Sequence, residues 1–215
     1  MLLRHALSIL SGAALAACSV VGIRQGTEEP PYSVVQTLGP NLEIRKYEPR
    51  LAAETVVQGD EVEARSEGFR RIAGFIFGSN QAAAKIAMTA PVATSQSNAQ
   101  TSETIAMTAP VDQARTAEGW RVRFFMPSSY TAETLPKPND ARVAIVTVPA
   151  ETYAVYRYSG PISAGSTARA QSDLRQLLQD TGWVPTGAMV NWFYDPPWTL
   201  PPLRRNEAAV PVEKP

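Results

Sequence analysis

Covalent and acid–base chemistry needs side chains that can be paired, and this chain supplies few. Its one cysteine, Cys18, and one histidine, His5, both lie at the N-terminus. Acid–base work elsewhere would fall to carboxylates such as Glu61, Glu67, Asp195 and Glu207, or to a tyrosine, and nothing in their spacing pairs them. Three arginines are more suggestive. Arg65, Arg70 and Arg71 are interleaved with Val62, Phe69, Ile72 and Ile76, which share one face at helical spacing. Such a stripe suits core packing. Alternatively, one edge of it lines a pocket with a guanidinium at the rim, a group that suits carboxylates.

The position of the cysteine sharpens the exclusion. Arg4 gives a short positive region, and Ala6–Ala14 is apolar but too short for a membrane span. Leu15-Ala16-Ala17-Cys18 follows, and small residues before a lone cysteine resemble a bacterial lipobox. That resemblance implies removal of residues 1–17 and a lipid on Cys18. With several acyl chains, anchoring would be stable, at roughly 0.8 kcal/mol per buried methylene. Ser19, not aspartate, follows the cysteine, which favours the outer membrane in a Gram-negative cell. The expected location is the cell envelope, facing the periplasm. A chain processed in this way holds no histidine and no free thiol. Histidine or cysteine metal sites and histidine-dependent nucleophiles are then unavailable, as is a disulfide framework.

The elements that must position the arginines are legible in order. Residues 18–31 read as a polar tether. Tyr32–Leu38, Leu42–Tyr47 and Leu51–Val57 read as strands, the second alternating apolar and polar. Asp60 can cap a helix running to about Phe77, with Glu61 and Glu63 in its first turn. Further strands are expected at Gly119–Pro127, Arg142–Val148, Glu151–Ser159, Met189–Tyr194 and Ala208–Val212. A second helix is expected from Ser166 or Thr167 to about Asp180, with Ala170, Leu174, Leu177 and Leu178 on its apolar face. Asp195–Leu203 is too rich in proline for a central strand. The same order of strands, helix and strands occurs twice, and Leu42–Val57 loosely echoes Val146–Ser159. An α+β fold follows, with two pseudo-symmetric halves in one domain over 32–212.

One phrase is repeated outright. Ile86–Val92 reads IAMTAPV, and Ile105–Val111 repeats it without change. Each copy reads as a strand that meets a proline, joined to the other by a polar loop. Met88 and Met107 in these copies, like Met126 and Met189, are expected to pack in the core. The charge totals, 20 basic and 20 acidic residues, lack the footprint of a nucleic-acid binder.

Seven phrases then coincide in order: GPNLEIRKY at Gly39–Tyr47, KIAMTAPV at Lys85–Val92, FMPSSY at Phe125–Tyr130, TLPKPND at Thr134–Asp140, YAVYRYSG at Tyr153–Gly160, YDPP at Tyr194–Pro197 and RRNE at Arg204–Glu207. In this order the chain resembles the SOUL haem-binding protein family from about Tyr32 to Val212. The resemblance implies a distorted antiparallel β-barrel with two helices, related to bacterial effector-binding domains. It also implies a non-enzymatic, monomeric binder of haem or another tetrapyrrole, held non-covalently in an apolar cleft beside the first helix. Carried over, that cleft takes in Val62, Arg65, Phe69, Arg70, Ile72 and Ile76, with Arg65, Arg70 or Arg71 pairing with the propionates. Some members of the family ligate iron through a histidine, and this chain departs from them there. The alternative is a SOUL-fold interaction module that has lost its ligand. Phe69, Phe75 or Phe77 filling the cleft would favour that alternative.

Overall fold

The computed structural model describes residues 27–82 and 102–215. The first copy of the repeated phrase, with Met88, lies outside them, as do Cys18 and the lipobox. Twelve strands, two α-helices and one short 3-10 turn make up the described residues. The strands are β1 Tyr32–Gly39, β2 Leu42–Tyr47, β3 Arg50–Val57, β4 Asn80–Gln81, β5 Val111–Thr116, β6 Gly119–Phe125, β7 Lys137–Pro138, β8 Ala144–Val148, β9 Glu151–Tyr158, β10 Val184–Pro185, β11 Val190–Phe193 and β12 Asn206–Glu213. The helices are α1 Glu61–Ile76 and α2 Ala164–Leu178.

The main sheet runs β1-β2-β9-β12-β11-β5-β6-β3-β8, with β10 added beside β12, and its pairings are antiparallel. Two quartets meet at the β11–β5 seam: β2-β9-β12-β11 and β8-β3-β6-β5. Each borrows its outer strand from the other end of the chain, so β2 corresponds to β8, β3 to β9, β5 to β11 and β6 to β12. This is the physical content of the echo between Leu42–Val57 and Val146–Ser159. The expected barrel does not close. Among the described residues the sheet ends at β1 and at β8, and no pairing joins these edges. Strand order in sequence specifies neighbours, whereas closure depends on accumulated twist and stagger.

Both helices lie on one face. Ile72, Phe75 and Ile76 of α1 pack with Ala53, Val122 and Phe124 of β3 and β6. Ala170, Leu174 and Leu178 of α2 pack with Ile44, Ala154, Ala208 and Val210 of β2, β9 and β12. The opposite face is aromatic, with Tyr47, Tyr153, Trp192 and Tyr194 buried together. The period of two along each strand separates the two sets: Phe124 faces the helices, and Phe125 faces away beside Ala52 and Val148.

Three expectations need correction. Ile105–Pro110 is not a strand, since β5 begins only at Val111. Thr108 forms an isolated bridge with Glu28, its hydroxyl donates to the Phe125 carbonyl, and Ala109 N–H donates to the Glu28 carbonyl at 2.9 Å. The backbone is therefore spent on the N-terminal segment instead of a neighbouring strand. Met107 consequently points outward and is 40 % exposed, not core, whereas Met126 is buried. Finally, the end of the expected tether is docked. Glu29 pairs with Arg205 at 3.0 Å through both carboxylate oxygens, and Ser128 N–H donates to the Glu28 carboxylate at 2.7 Å. Polar composition alone does not register such partners. At the free edge, β1 pairs with β2 through register shifts between Val34 and Gln36 and between Thr37 and Gly39.

Candidate functional site

Helix α1 is set by its first turn. Asp60, in extended conformation, accepts N–H bonds from Val62 and Glu63 at 2.8 and 2.9 Å, and Glu61 and Glu63 complement the positive helix end. Gly68 sets the depth of docking. A Cβ built there would stand 2.6 and 2.7 Å from Val122 Cγ2 and Cβ, so only glycine lets α1 approach β6 this closely. The close approach consumes part of the expected site. Ile72 and Ile76, four residues apart, are 0 % and 1 % exposed and belong to the core, where they present no surface to a ligand. Val62 and Phe69 lie along the outer edge, at 43 % and 38 % exposed, and Phe77 just beyond the helix at 60 %. Phe69 leans on Phe124 with ring centres 5.3 Å apart. Phe75 fills the core beneath the helix, while Phe69 and Phe77 stay open to solvent.

The three arginines diverge. Arg65 turns towards the seam, with its guanidinium 5.0 Å from the Phe193 ring centre. It donates to Gln113 Oε1 at 3.2 Å and to the Ile162 carbonyl at 3.4 Å. Burial lowers its pKa, against the opposing pull of Glu61. Arg71 holds Glu67 at 2.8 Å and also reaches Thr55 and the Val56 carbonyl. Arg70 alone of the three stands mainly in solvent, its side chain 73 % exposed and 2.9 Å from Glu67. Five residues along a helix turn a side chain through roughly 140°, so Arg65 and Arg70 serve different surfaces. Arg70, Val62, Phe69 and Phe77 remain as the exposed part of the α1 edge.

The candidate acid–base carboxylates are dispersed and neutralised. Glu61 accepts from the Thr167 hydroxyl at 2.9 Å and lies 4.0 Å from Arg65. Glu67 is held by Arg71 and Arg70, and the Arg71 hydrogen bond lowers its pKa. Asp195 accepts the Arg205 backbone N–H at 2.7 Å, which pins the proline-rich loop to β12. Glu207 is wholly buried. It receives Arg45 at 3.0 Å and the Tyr194 hydroxyl at 2.6 Å on Oε2, and Arg205 at 2.9 Å on Oε1. Burial followed by the Glu207 charge raises the Tyr194 phenol well above its usual range. A carboxylate saturated by two guanidiniums and a phenol is a structural anion. Among the described residues, no group of three or more histidine, cysteine, aspartate or glutamate side chains could hold a metal ion.

Around Glu207 lies a cluster that sequence reasoning passed over. Tyr47 meets Trp192 and Tyr153 at ring-centre distances of 5.5 and 5.9 Å, both edge-on. Trp192 donates to Asp112 at 2.9 Å, and Arg45 and Arg50 each stack over tyrosine rings at 4.5 Å. A signal was present in Leu42–Tyr47. Alternation puts Arg45 and Tyr47 on the same side of β2, where Arg45 stacks on Tyr32 and Tyr47 receives Arg50.

Comparison with solved structures finds the same fold at low identity. The crystallised C-terminal domain of EcmrR is 13% identical, with a TM-score of 0.55, covering 86% of this chain and 99% of that one. EcmrR in a complex with DNA gives 13% identity and a TM-score of 0.56, covering 100% and 72%. A protein from Listeria innocua described as a hydrolase gives 16% and 0.51, covering 80% and 92%. These likenesses carry the fold and nothing of what the proteins do. No curated protein matches the chain in sequence. The family model described as SOUL heme-binding protein matches residues 27–211, from the docked N-terminal segment to Pro211 in β12. With this match over nearly the whole described chain, and with two helices on one face of a two-quartet antiparallel sheet, the chain belongs to the SOUL heme-binding protein family.

Proposed function

We propose that the chain is a membrane-tethered, non-enzymatic protein that binds haem or another flat, apolar tetrapyrrole non-covalently along the outer edge of α1, as carrier, buffer or sensor. The observation that carries this reading is the α1 edge in a member of a haem-binding family: Val62, Phe69 and Phe77 are large, apolar and exposed at intervals of about two helical turns. The residues fit the ring better than they fit the iron. Phe69, with Val62 about two turns before it, would hold an apolar macrocycle, and Arg70 can leave Glu67 for a propionate at little cost, because exposed ion pairs are weak. Arg65 is committed to Gln113 and Ile162. When bound, haem supplies its iron's redox and ligand-binding chemistry, and residues 18–215 contain no histidine to ligate it. Affinity then comes from burying the ring face and from charge at the rim, so metal-free porphyrin is nearly as good a ligand. The lipobox resemblance supports anchoring through Cys18 in the envelope, facing the periplasm, with the outer membrane favoured by Ser19.

The test is titration of the full chain with hemin and with protoporphyrin, followed by Soret absorbance and porphyrin fluorescence. Saturable binding of both, with affinities within about ten-fold, and loss of both in Phe69→Asp are expected. If neither ligand gives a saturable change, the reading fails and an interaction module that has lost its ligand takes its place.

A further inference from the structure

Where β3 begins and β6 ends lies a cavity of about 270 Å³, whose walls include Arg50 and Phe125 from the face away from the helices and Leu51, Met126 and Tyr130 from the helix-side core. A narrower recess lined by Tyr47, Trp192 and Tyr194 shares Arg50 and Phe125 with it. The volume lies just below the range of about 300–1,000 Å³ usual for small-molecule sites, which suits a ligand smaller than a tetrapyrrole. The cavity is distinct from the α1 edge, since no residue of α1 and none of Val62, Phe69, Arg70 and Phe77 lines it.

Arg50 sets the chemistry. Its guanidinium is sandwiched between Tyr47 and Phe125, 4.5 Å from each ring centre. Its Nε is buried without a hydrogen-bond partner, and NH1 has only a 3.5 Å contact to the Glu48 carbonyl. Five N–H donors are thus left with one long bond. The neighbouring acids are already engaged. Glu29 is gripped by Arg205, Glu28 accepts from Ser128, Asp112 accepts from Trp192 on Oδ2 and pairs with Arg121 at 3.5 Å through Oδ1, and Glu151 accepts from Tyr153 at 2.5 Å. Burial correspondingly lowers the Arg50 pKa, as for a cation short of counter-charge. Arg50 is half-buried, and a ligand acceptor that reaches its buried, unbonded Nε would satisfy a donor that solvent does not reach.

We propose that this cavity is a second ligand site, taking a small amphipathic monocarboxylate whose apolar body lies on Leu51, Phe125 and Met126 and whose carboxylate bonds to Arg50. The N-terminal segment forms part of the wall through Glu28, Glu29 and Pro30, so the ligand sits under the segment that leads to Cys18. Isothermal titration of the full chain with decanoate, decan-1-ol and decylammonium tests the assignment, since the three share an apolar body and differ in headgroup charge. Decanoate is expected to bind at one site at least about ten-fold more tightly than decanol, the factor one charge-assisted hydrogen bond supplies. Decylammonium is expected to be weakest. Arg50→Gln should erase the preference for decanoate over decanol, and Arg50→Lys should keep part of it. Saturating protoporphyrin should leave decanoate affinity unchanged. Absent decanoate binding, equal affinity for acid and alcohol, preference for the amine or displacement by protoporphyrin would each overturn the proposal. The comparison of headgroups on the unaltered chain decides even if the Arg50 variants fail to fold. Because protoporphyrin is titrated separately, failure at this site is distinguishable from failure at the α1 edge.

Discussion

Replacing Glu207 by glutamine keeps shape and volume and removes one negative charge from the most buried ionic centre of the molecule. Two guanidiniums lose part of their counter-charge: Arg45, 3.0 Å from Oε2, and Arg205, 2.9 Å from Oε1. The Tyr194 hydroxyl also loses an ionised acceptor. Breaking one side of a buried ion pair costs about 3–5 kcal/mol, because the partner stays buried and uncompensated. Each arginine here has a second acid, Glu43 at 2.7 Å for Arg45 and Glu29 at 3.0 Å for Arg205. That moves the expected loss to the lower end, about 3 kcal/mol. Urea unfolding followed by tryptophan fluorescence reads it as a lower midpoint at unchanged slope. Tyr194→Phe alone should cost about 1.5–3 kcal/mol, for one hydrogen bond to a charged group. Combined with Glu207→Gln it should cost less than the sum, since both act on the same contact. A loss under about 1 kcal/mol for Glu207→Gln would refute the view of Glu207 as the ionic keystone of this face.

Two further outcomes follow from the geometry. Gly68→Ala gains up to about 1 kcal/mol of helix propensity but drives a methyl into Val122, where overpacking costs about 1–3 kcal/mol; the melting temperature should fall, Val122→Ala in the same chain should not restore it because the Val122 Cβ at 2.7 Å remains, and a simple stabilisation by Gly68→Ala would contradict the packing of α1 on β6. Asp140, bonded by Arg142, has its pKa held down to about 2. A depressed carboxylate contributes stability above its ordinary value near ~3.9 and loses it as pH falls towards that lower value, so the carboxyl carbon of Asp140 should titrate near there by NMR and Asp140→Asn should remove that step from the acid-unfolding profile.

Both helices are legible in the sequence because their signals are local. Asp60 caps α1 and the 3.6-residue apolar period runs through it, while Ala170, Leu174 and Leu178 mark α2. Periodicity groups residues by face without saying how deeply that face is sunk. Ile72 and Phe69 are three residues apart, yet Gly68 lets the helix descend until one is core and the other rim. The repeated heptapeptide misleads for a related reason. Identical residues do not make identical neighbours, and Thr108 and Ala109 are bound to Phe125 and Glu28, which are far away in sequence. The aromatic and arginine cluster escapes for the same reason: Arg45, Glu207 and Tyr194 meet only once β2, β9, β12 and β11 are side by side.

Among the described residues, the open sheet leaves β1 as a terminal strand carrying Val34 and Val35, each about half exposed. Left regular, such a border would be a template on which another strand could crystallise, the first step towards fibres. The two register slips along β1 spoil that template. They put the outward amides and carbonyls out of step at Val34–Gln36 and again at Thr37–Gly39, so an incoming strand finds no long run of matched partners. Deleting Val35 removes the first slip, lengthens the run of matched partners and should shorten the lag before thioflavin-positive aggregates form. Protection against self-association would then lie in the backbone rhythm of eight residues, independent of any charge on the surface.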